Sequence, residues 1–586
     1  SLDEALQKLT PSFSSMTNGM GTTLSLNGLP DDYFIFLENG KRLYGDDTYA
    51  RINVAKIKRI EILNGASSAL YGTNAIGGVI NIITDDVKNA INVSSDTRYA
   101  SKGRFTQSVN IDVNTGKFGS YTSYRRQQAE GWQLNPYEEN SKTHELEETG
   151  KVASTGFYAN TVNQKFTFDA TDKLSFYARG GYYDNKTRRP YEAYDYNILH
   201  ETFNYGIGAQ YMINKGNYIT ADCYADHFSS SYCFFKDNKT YNGKAGEEQV
   251  RKRTRNHNLS IKGIFKLGNR HKLSVGTEYI VDVLKSQTDN IAKEDAYTLA
   301  LFAQDEIKLL RNLQALIGVR YIYHENFKNH ATPNVALMYK PGKFNFRASY
   351  AAGFRTPTLS ELYATDIAKK NDRLTIGNLD LKPEKNNYFS LSAEYVHERF
   401  SVSVNAFYNN IRDMIDYNTI ATGDKAMEQY GHKEVRQRDN IAEAKVHGIN
   451  VSANAYLGAG FNLSGGYTHL NTQDVELEQP IDKSIKNAYN INAQWAHSWK
   501  IYRLNINLNG RINSKRFSKS YGYAPEYQLW DLNTRHSFNL KSVIIEPGCG
   551  MENLFDYMDD RPYNSNYATL TPGRSFYISL SLKFKS

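Results

Sequence analysis

From residue 58 to residue 84 the chain reads Lys58-Arg-Ile-Glu-Ile-Leu-Asn-Gly-Ala-Ser-Ser-Ala-Leu-Tyr-Gly-Thr-Asn-Ala-Ile-Gly-Gly-Val-Ile-Asn-Ile-Ile-Thr84. Two β-type runs, 59–63 and 78–84, flank a centre of small residues punctuated by Gly65, Gly72, Gly77 and Gly78. Glycine admits positive φ and close backbone approach, so the spacing predicts strand, tight irregular turn, strand. Composition alone would fit a Gly-rich hairpin in any globular domain. The order of the residues is more specific.

Arg59-Ile-Glu61, Leu63-x-Gly65, Ser68-Ala-Leu-Tyr-Gly72 and Ala75-Ile-Gly-Gly-Val-Ile-Asn-Ile-Ile-Thr84 closely resemble the end of the plug domain of TonB-dependent outer-membrane receptors. On that resemblance Arg59, Glu61, Gly65, Tyr71, Gly72, Gly77 and Gly78 form a structural plug signature. The run Leu37 to Arg42 also follows the plug pattern. Upstream, Leu2, Ala5, Leu6 and Leu9 have helical spacing before Pro11, while 22–26 and 33–37 read as strands. Glu38-Asn-Gly-Lys41 reads as a turn into Arg42-Leu-Tyr44, and 54–58 as a helical turn. One departure matters: where the family has Leu-Arg-Gly-Pro, this chain has Leu63-Asn64-Gly65-Ala66. The missing cation is one implicated in latching plug to barrel, so that latch is not assigned here. Ser1 opens directly in folded-looking sequence, with no signal peptide and no TonB box ahead of it, which reads as mature or truncated material. The expected division is a small α+β plug over 1–88 and a transmembrane β-barrel over 89–586.

Bulk properties agree with that division. The mean hydropathy is −0.60 and no stretch offers 18 consecutive apolar residues, so transmembrane helices are excluded and a barrel is not. Tyr is frequent, 44 against 13 Pro, which suits the aromatic girdles of a barrel and also a soluble all-β fold. The net charge of +8 is spread along the chain, with one dense run at Arg251-Lys-Arg-Thr-Arg255. With no nucleic-acid module around it, that run reads as a solvated loop, or else as a contact for anionic lipid headgroups. Of the three cysteines, Cys223 and Cys233 could close a loop disulfide, and Cys549 is left over. No Cys/His spacing matches a metal site.

From Ile91 onward, runs of about 9 to 14 residues alternate apolar and polar, the length that crosses a bilayer at a tilt. Phe576, Ile578, Leu580, Leu582 and Phe584 alternate with Tyr577, Ser579, Ser581 and Lys583; Phe400, Val402 and Val404 alternate with Ser401 and Ser403. Alternation alone also fits a sandwich, but the connections are asymmetric. Ten tight turns, from Asn114-Thr-Gly-Lys117 to Asn539-Leu-Lys541, face eleven connections on the other side, of which all but the one near 100–102 are longer and polar. The longer ones are expected around 129–159, 186–202, 231–255, 286–296, 325–332, 354–386, 416–445, 473–487, 514–528 and 555–572. The result is an all-β membrane protein, a 22-stranded antiparallel barrel whose lumen is wide enough to need a plug.

Gly353-Phe-Arg-Thr-Pro-Thr-Leu-Ser-Glu-Leu-Tyr363 and Gly377-Asn-Leu-Asp-Leu-Lys-Pro-Glu384 resemble two boxes of receptors for haem, cobalamin and siderophores. By the same resemblance, cargo binds between the outer loops and the plug apex. The candidate contacts are Tyr44, Asp46, Asp47, Tyr49, Tyr71, Arg355 and Tyr363, while Arg355, Pro357 and Glu384 also suit a role in shaping the loop base. No His lies in 354–384 or 1–86, which disfavours bis-His haem capture, although Tyr can also ligate haem. His144, His200, His324, His330 and His432 read as ordinary surface. No Gly-x-Ser-x-Gly, phosphate loop or His-Glu-x-x-His is present, and the pairs Asp31-Asp32, Asp46-Asp47 and Asp559-Asp560 are adjacent rather than facing. The expectation is a non-enzymatic receptor with no cofactor of its own, importing an iron chelate (ferric siderophore or haem). A cobalamin or corrinoid receptor, a barrel docking a surface lipoprotein that hands over cargo, and a general porin are the alternatives. TonB with its inner-membrane complex and outer-membrane lipid are the implied partners of a monomeric barrel in a Gram-negative outer membrane, and no nucleic-acid partner is implied.

Overall fold

The computed structural model describes residues 2–18, 21–54, 57–65, 72, 75–84, 90–140, 143–368, 372–519, 522–559, 561–563 and 571–585. Its largest feature is a closed sheet of 24 strands, two of which (Thr365–Ala368 and Arg373–Ile376) form a hairpin in an outer loop, leaving 22 in the wall. The last strand, Ser575–Lys585, closes the ring by pairing antiparallel with the first, Ile91–Ala100. Among the described residues no helix is long and apolar enough to cross a membrane.

The wall is inverted relative to a soluble protein. Phe576, Ile578, Leu580, Leu582 and Phe584 are all exposed, as are Phe400, Val402 and Val404, while Asn110, Ser123, Arg125, Asp226 and Arg511 are buried on the inner face. Period-two alternation sends the apolar set outward, and only lipid makes that arrangement favourable. All ten short turns occur where the sequence places them.

The strands depart from expectation in length. Phe400–Thr422 has 23 residues and Glu434–Gly458 has 25, well beyond the 9 to 14 expected. Continuing the ladder above the membrane satisfies backbone groups that a loop would leave to water, so polar alternating sequence stays in strand. The connection expected at 416–445 is therefore mostly strand, capped by the helix Gly423–Tyr430, and the one expected at 231–255 shrinks to 235–247. The Arg251–Arg255 run, read as a loop, lies within the strand Glu248–Leu267. The disulfide that the sequence leaves open does not form: Cys223 and Cys233 share the strand Asn217–Phe234 and are free thiols. Ten residues of strand span about 33 Å, against the roughly 7 Å a disulfide tolerates between Cα atoms.

Inside the ring sits the plug. Its four-stranded sheet runs Lys41–Arg42, Phe34–Glu38, Gly78–Thr84, Ile57–Asn64, with the central pair parallel. A second sheet is built from Phe13–Asn18, Gly21–Leu26 and Leu29–Pro30, the first of which has no clean alternation and is not apparent from sequence. The helix Leu2–Leu9 forms as its spacing predicts and buries Leu2 and Leu6 with Phe13, Leu24, Leu26, Phe34, Ile80 and Ile82. Residues 55 and 56 of the expected helical turn, and Asp560, lie outside the described residues. Gly65 has φ +81° and a Cβ there would enter the ring of Tyr388 on the barrel wall, so this signature glycine is required twice over.

Candidate cargo-binding site

The plug is fastened to the wall by charge and by backbone. Arg51, on the short 3₁₀ turn Thr48–Arg51, meets Asp226 at 3.0 Å with both side chains buried, and the same carboxylate accepts the Tyr44 N–H at 3.0 Å. Lys41 pairs with Asp222, four residues before Asp226 on that wall strand. On other strands Arg125 donates to the Ile52 carbonyl at 2.7 Å, and Arg511 donates to the carbonyls of Gln7 at 2.6 Å and Phe13 at 2.8 Å. Asn64, in the place of the family's arginine, accepts from Asn27 at 3.0 Å within the plug. The latch withheld on sequence grounds thus exists, made from different residues.

Above the plug lies a cavity of about 1130 Å³, walled by the plug apex, the inner faces of several strands and the segment 356–362. Tyr44, Asp46, Asp47 and Tyr49 line it, as their position between plug strands predicts. Asp47 receives His200 at 2.7 Å and Asp46 faces Lys252 at 3.5 Å, so this apical segment is tied to the wall beside the cavity. Burial opposes ionisation of Asp47, but the His200 hydrogen bond and charge, with Asn185, outweigh it and hold the carboxyl below its ordinary range. Burial pushes the phenols of Tyr44 and Tyr49 well up, so both stay neutral donors.

Two candidates sit elsewhere. Arg355 is 2% exposed and absent from the cavity wall. It binds Glu361 at 3.0 and 3.1 Å and also Glu384, which in turn accepts from the plug's Tyr33 hydroxyl at 3.2 Å and the Ile415 N–H at 2.9 Å. That is a loop-base clamp, and the two sequence boxes are its halves. Tyr363 packs with Leu362, Leu381 and Ile415 rather than facing the cavity. Tyr71 lies outside the described residues; of the remaining signature, Gly72 lines the cavity, Arg59 and Glu61 form an exposed ion pair at 2.7 Å, and Gly77 packs on Leu29 and Tyr33.

Sequence reasoning missed part of the wall. Asp31 and Asp32, set aside as a turn pair, open onto the cavity. Removal from bulk water and the neighbouring Asp32 raise the Asp31 carboxyl to about 6. His200 and His324, read as surface, line the cavity, and His324 is buried. Lys252 belonged to the basic run; strand parity counted from Leu259 would have turned it inward. Among the described residues six Lys or Arg and eight Asp or Glu face the space, several already paired across the plug seam. Among the described residues no cluster of three metal-ligating side chains occurs.

A family model described as "TonB dependent receptor-like, beta-barrel" matches residues 103–546, and one described as "TonB-dependent Receptor Plug Domain" matches residues 1–79. Among solved structures, a mutant of the ferric enterobactin receptor PfeA from Pseudomonas aeruginosa superposes with a TM-score of 0.82 at 16% identity, covering 100% of both chains. The siderophore receptor PirA from Acinetobacter baumannii gives 0.80 at 16% identity over 100% of this chain and 98% of that one. The FrpB iron transporter from Neisseria meningitidis gives 0.76 at 14% identity over 100% and 96%.

Proposed function

The chain belongs to the TonB-dependent receptors of the Gram-negative outer membrane, and on that premise we propose that it imports an iron chelate of low net charge. The observation that carries the reading is the cavity itself: about 1130 Å³, open between apex and outer segments, with eight carboxylates against six Lys or Arg among the described residues. Small-molecule sites run to about 1,000 Å³, so one chelate fills this space. A cargo bearing several negative charges finds no net attraction there, whereas one of mixed polarity finds neutral tyrosines and paired charges to hydrogen-bond. The proteins it resembles in fold are named as siderophore receptors and an iron transporter, which supports iron as the metal carried. Transport then requires no bond chemistry by the chain: energy delivered through TonB displaces the plug, and the cargo passes.

Titration of the purified barrel with a neutral ferric trihydroxamate, a trianionic ferric tris-catecholate, haemin and cobalamin tests this. The trihydroxamate is expected to bind most tightly. Tighter binding of the tris-catecholate would overturn the charge assignment, and tight cobalamin binding without any iron chelate would overturn iron.

A further inference from the structure

The basic run left over from sequence analysis is split by the pleat of its strand. Lys252, Thr254, Asn256 and Asn258 point inward and line the cavity. Arg253, Arg255 and His257 therefore point outward, on the face that continues through the exposed Leu259 and Ile261 to Leu267 at the short-turn end. From Leu267 to Arg255 is twelve residues, which at about 3.4 Å per residue and a tilt of about 40° rises about 31 Å, against an apolar band of about 25 Å. Arg255 thus stands about 6 Å, and Arg253 about 11 Å, beyond the hydrocarbon edge on the long-loop side. The edge is marked by outward tyrosines on the adjoining strands: Tyr279 opposite Leu259, and the row Tyr279, Tyr297, Tyr323 with rings 6.0 and 6.1 Å apart.

Register brings more positive charge to the same place. Arg253 lies directly opposite Lys285 on the strand His271–Ser286. Like charges directly opposite on one face destabilise a sheet. Among the described residues the side chains of Arg253, Arg255 and Lys285 make no hydrogen bond or ion pair, and all three are exposed. The acids two strands away on that face are each held by another group: Asp295 by Lys293 at 3.1 Å, and Glu201, across Ser229 from Arg253, by the Tyr182 hydroxyl at 2.9 Å. A recess of about 620 Å³ opens beside Arg253 and Lys285, with Arg251 stacked over Tyr241 at 4.9 Å on its wall.

We propose that Arg253, Arg255 and Lys285 form a binding site on the outside of the barrel for the phosphorylated headgroup of an outer-leaflet lipid. The position selects the occupant. Three uncompensated cations at headgroup depth meet phosphate oxygens in a phosphorylated lipid, arginine offers the planar fork that a phosphate matches, and the acyl chains run down the apolar face from Leu259. The site is independent of the cargo reading, since its side chains face away from the lumen.

Native mass spectrometry of the full chain, purified in detergent and offered phosphatidic acid or phosphatidylcholine at equal concentration, tests this. The wild type is expected to retain phosphatidic acid at least tenfold over phosphatidylcholine. R253A/R255A/K285A should lose that preference at least tenfold while keeping its heat-resistant barrel mobility, and R253K/R255K should keep most of it. An unchanged preference in the triple alanine variant, or none in the wild type, would overturn the site. Displacement of the lipid by millimolar inorganic phosphate would show a free-anion site, and retention of an acidic protein in place of lipid would show a docking face. Either result overturns the lipid assignment.

Discussion

At the scale of single residues, the seam between plug and wall rests on buried charge. Removing one partner of a buried ion pair costs about 3–5 kcal/mol, because the other is left uncompensated, whereas replacing both by apolar groups is often neutral. Arg51→Met strands Asp226, 1% exposed, and should loosen the plug by that amount. R51M/D226L should lose far less. Urea titration followed by protease cleavage within the plug reads the difference, and equal losses in the two variants would refute the charge argument. Asp31 gives a pH dependence of known sign. Its carboxyl is raised from an ordinary value near 3.9 to about 6, so the neutral form is favoured in the folded protein. Its contribution is whole below the unfolded value and is lost as pH rises through about 6. D31N removes that loss, so the variant should gain midpoint stability over wild type between pH 4 and 7.5, by a modest amount because the group opens onto water. A difference that stays constant with pH would refute it. Such roles are only partly legible in sequence. Gly65 and Gly78 announce themselves because backbone demands leave one residue type. Arg51 and Asp226 are 175 positions apart, and nothing local marks either as half of a pair.

At the scale of elements, alternation and short turns are legible because each is a local constraint: the pleat sets the first and left-handed turn residues set the second. The outer ends of the strands are not, since polar alternating sequence reads alike as loop and as strand continued into water. The segment between the two boxes illustrates what does become readable once the ladder is in place. Thr358 caps the helix Leu359–Tyr363, accepting from the Glu361 N–H at 3.2 Å while Glu361 accepts from the Thr358 N–H at 2.8 Å, a reciprocal capping box. Burial opposes ionisation of Glu361, yet Arg355 and this cap hold its carboxyl below the ordinary range. Because 356–362 forms part of the cavity wall, the cap orders one side of that cavity. Losing an N-cap costs about 1 kcal/mol, roughly a fivefold change in an equilibrium constant. T358A should weaken cargo binding by up to about fivefold, measured by calorimetry, with barrel melting unchanged. Full affinity in the variant would mean that the helix order is not coupled to the cavity.

At the scale of the whole molecule, 22 strands enclose a lumen that side chains from the wall alone do not fill. The plug fills it by gripping the wall at several azimuths: Asp222 and Asp226 on Asn217–Phe234, Arg125 on Phe118–Ala129, Arg511 on Tyr502–Asn513, and an apolar seam joining Leu29, Tyr33 and Ile76 to Tyr388, Phe407 and Ile411. A porin needs the opposite, a lumen left open, so the two readings diverge in one electrical measurement. The intact chain in a planar bilayer should show no steady current, because every contact in that ring must yield together for ions to pass. A chain lacking residues 1–84 keeps all 22 wall strands, including the closing pair Ser575–Lys585 and Ile91–Ala100, and should conduct continuously as a wide pore. R51M, which weakens one contact of the ring and leaves the rest, should give brief openings rather than a standing current. A large steady current through the intact chain would show that the plug does not seal the lumen, and the gated-receptor mechanism would fall with it.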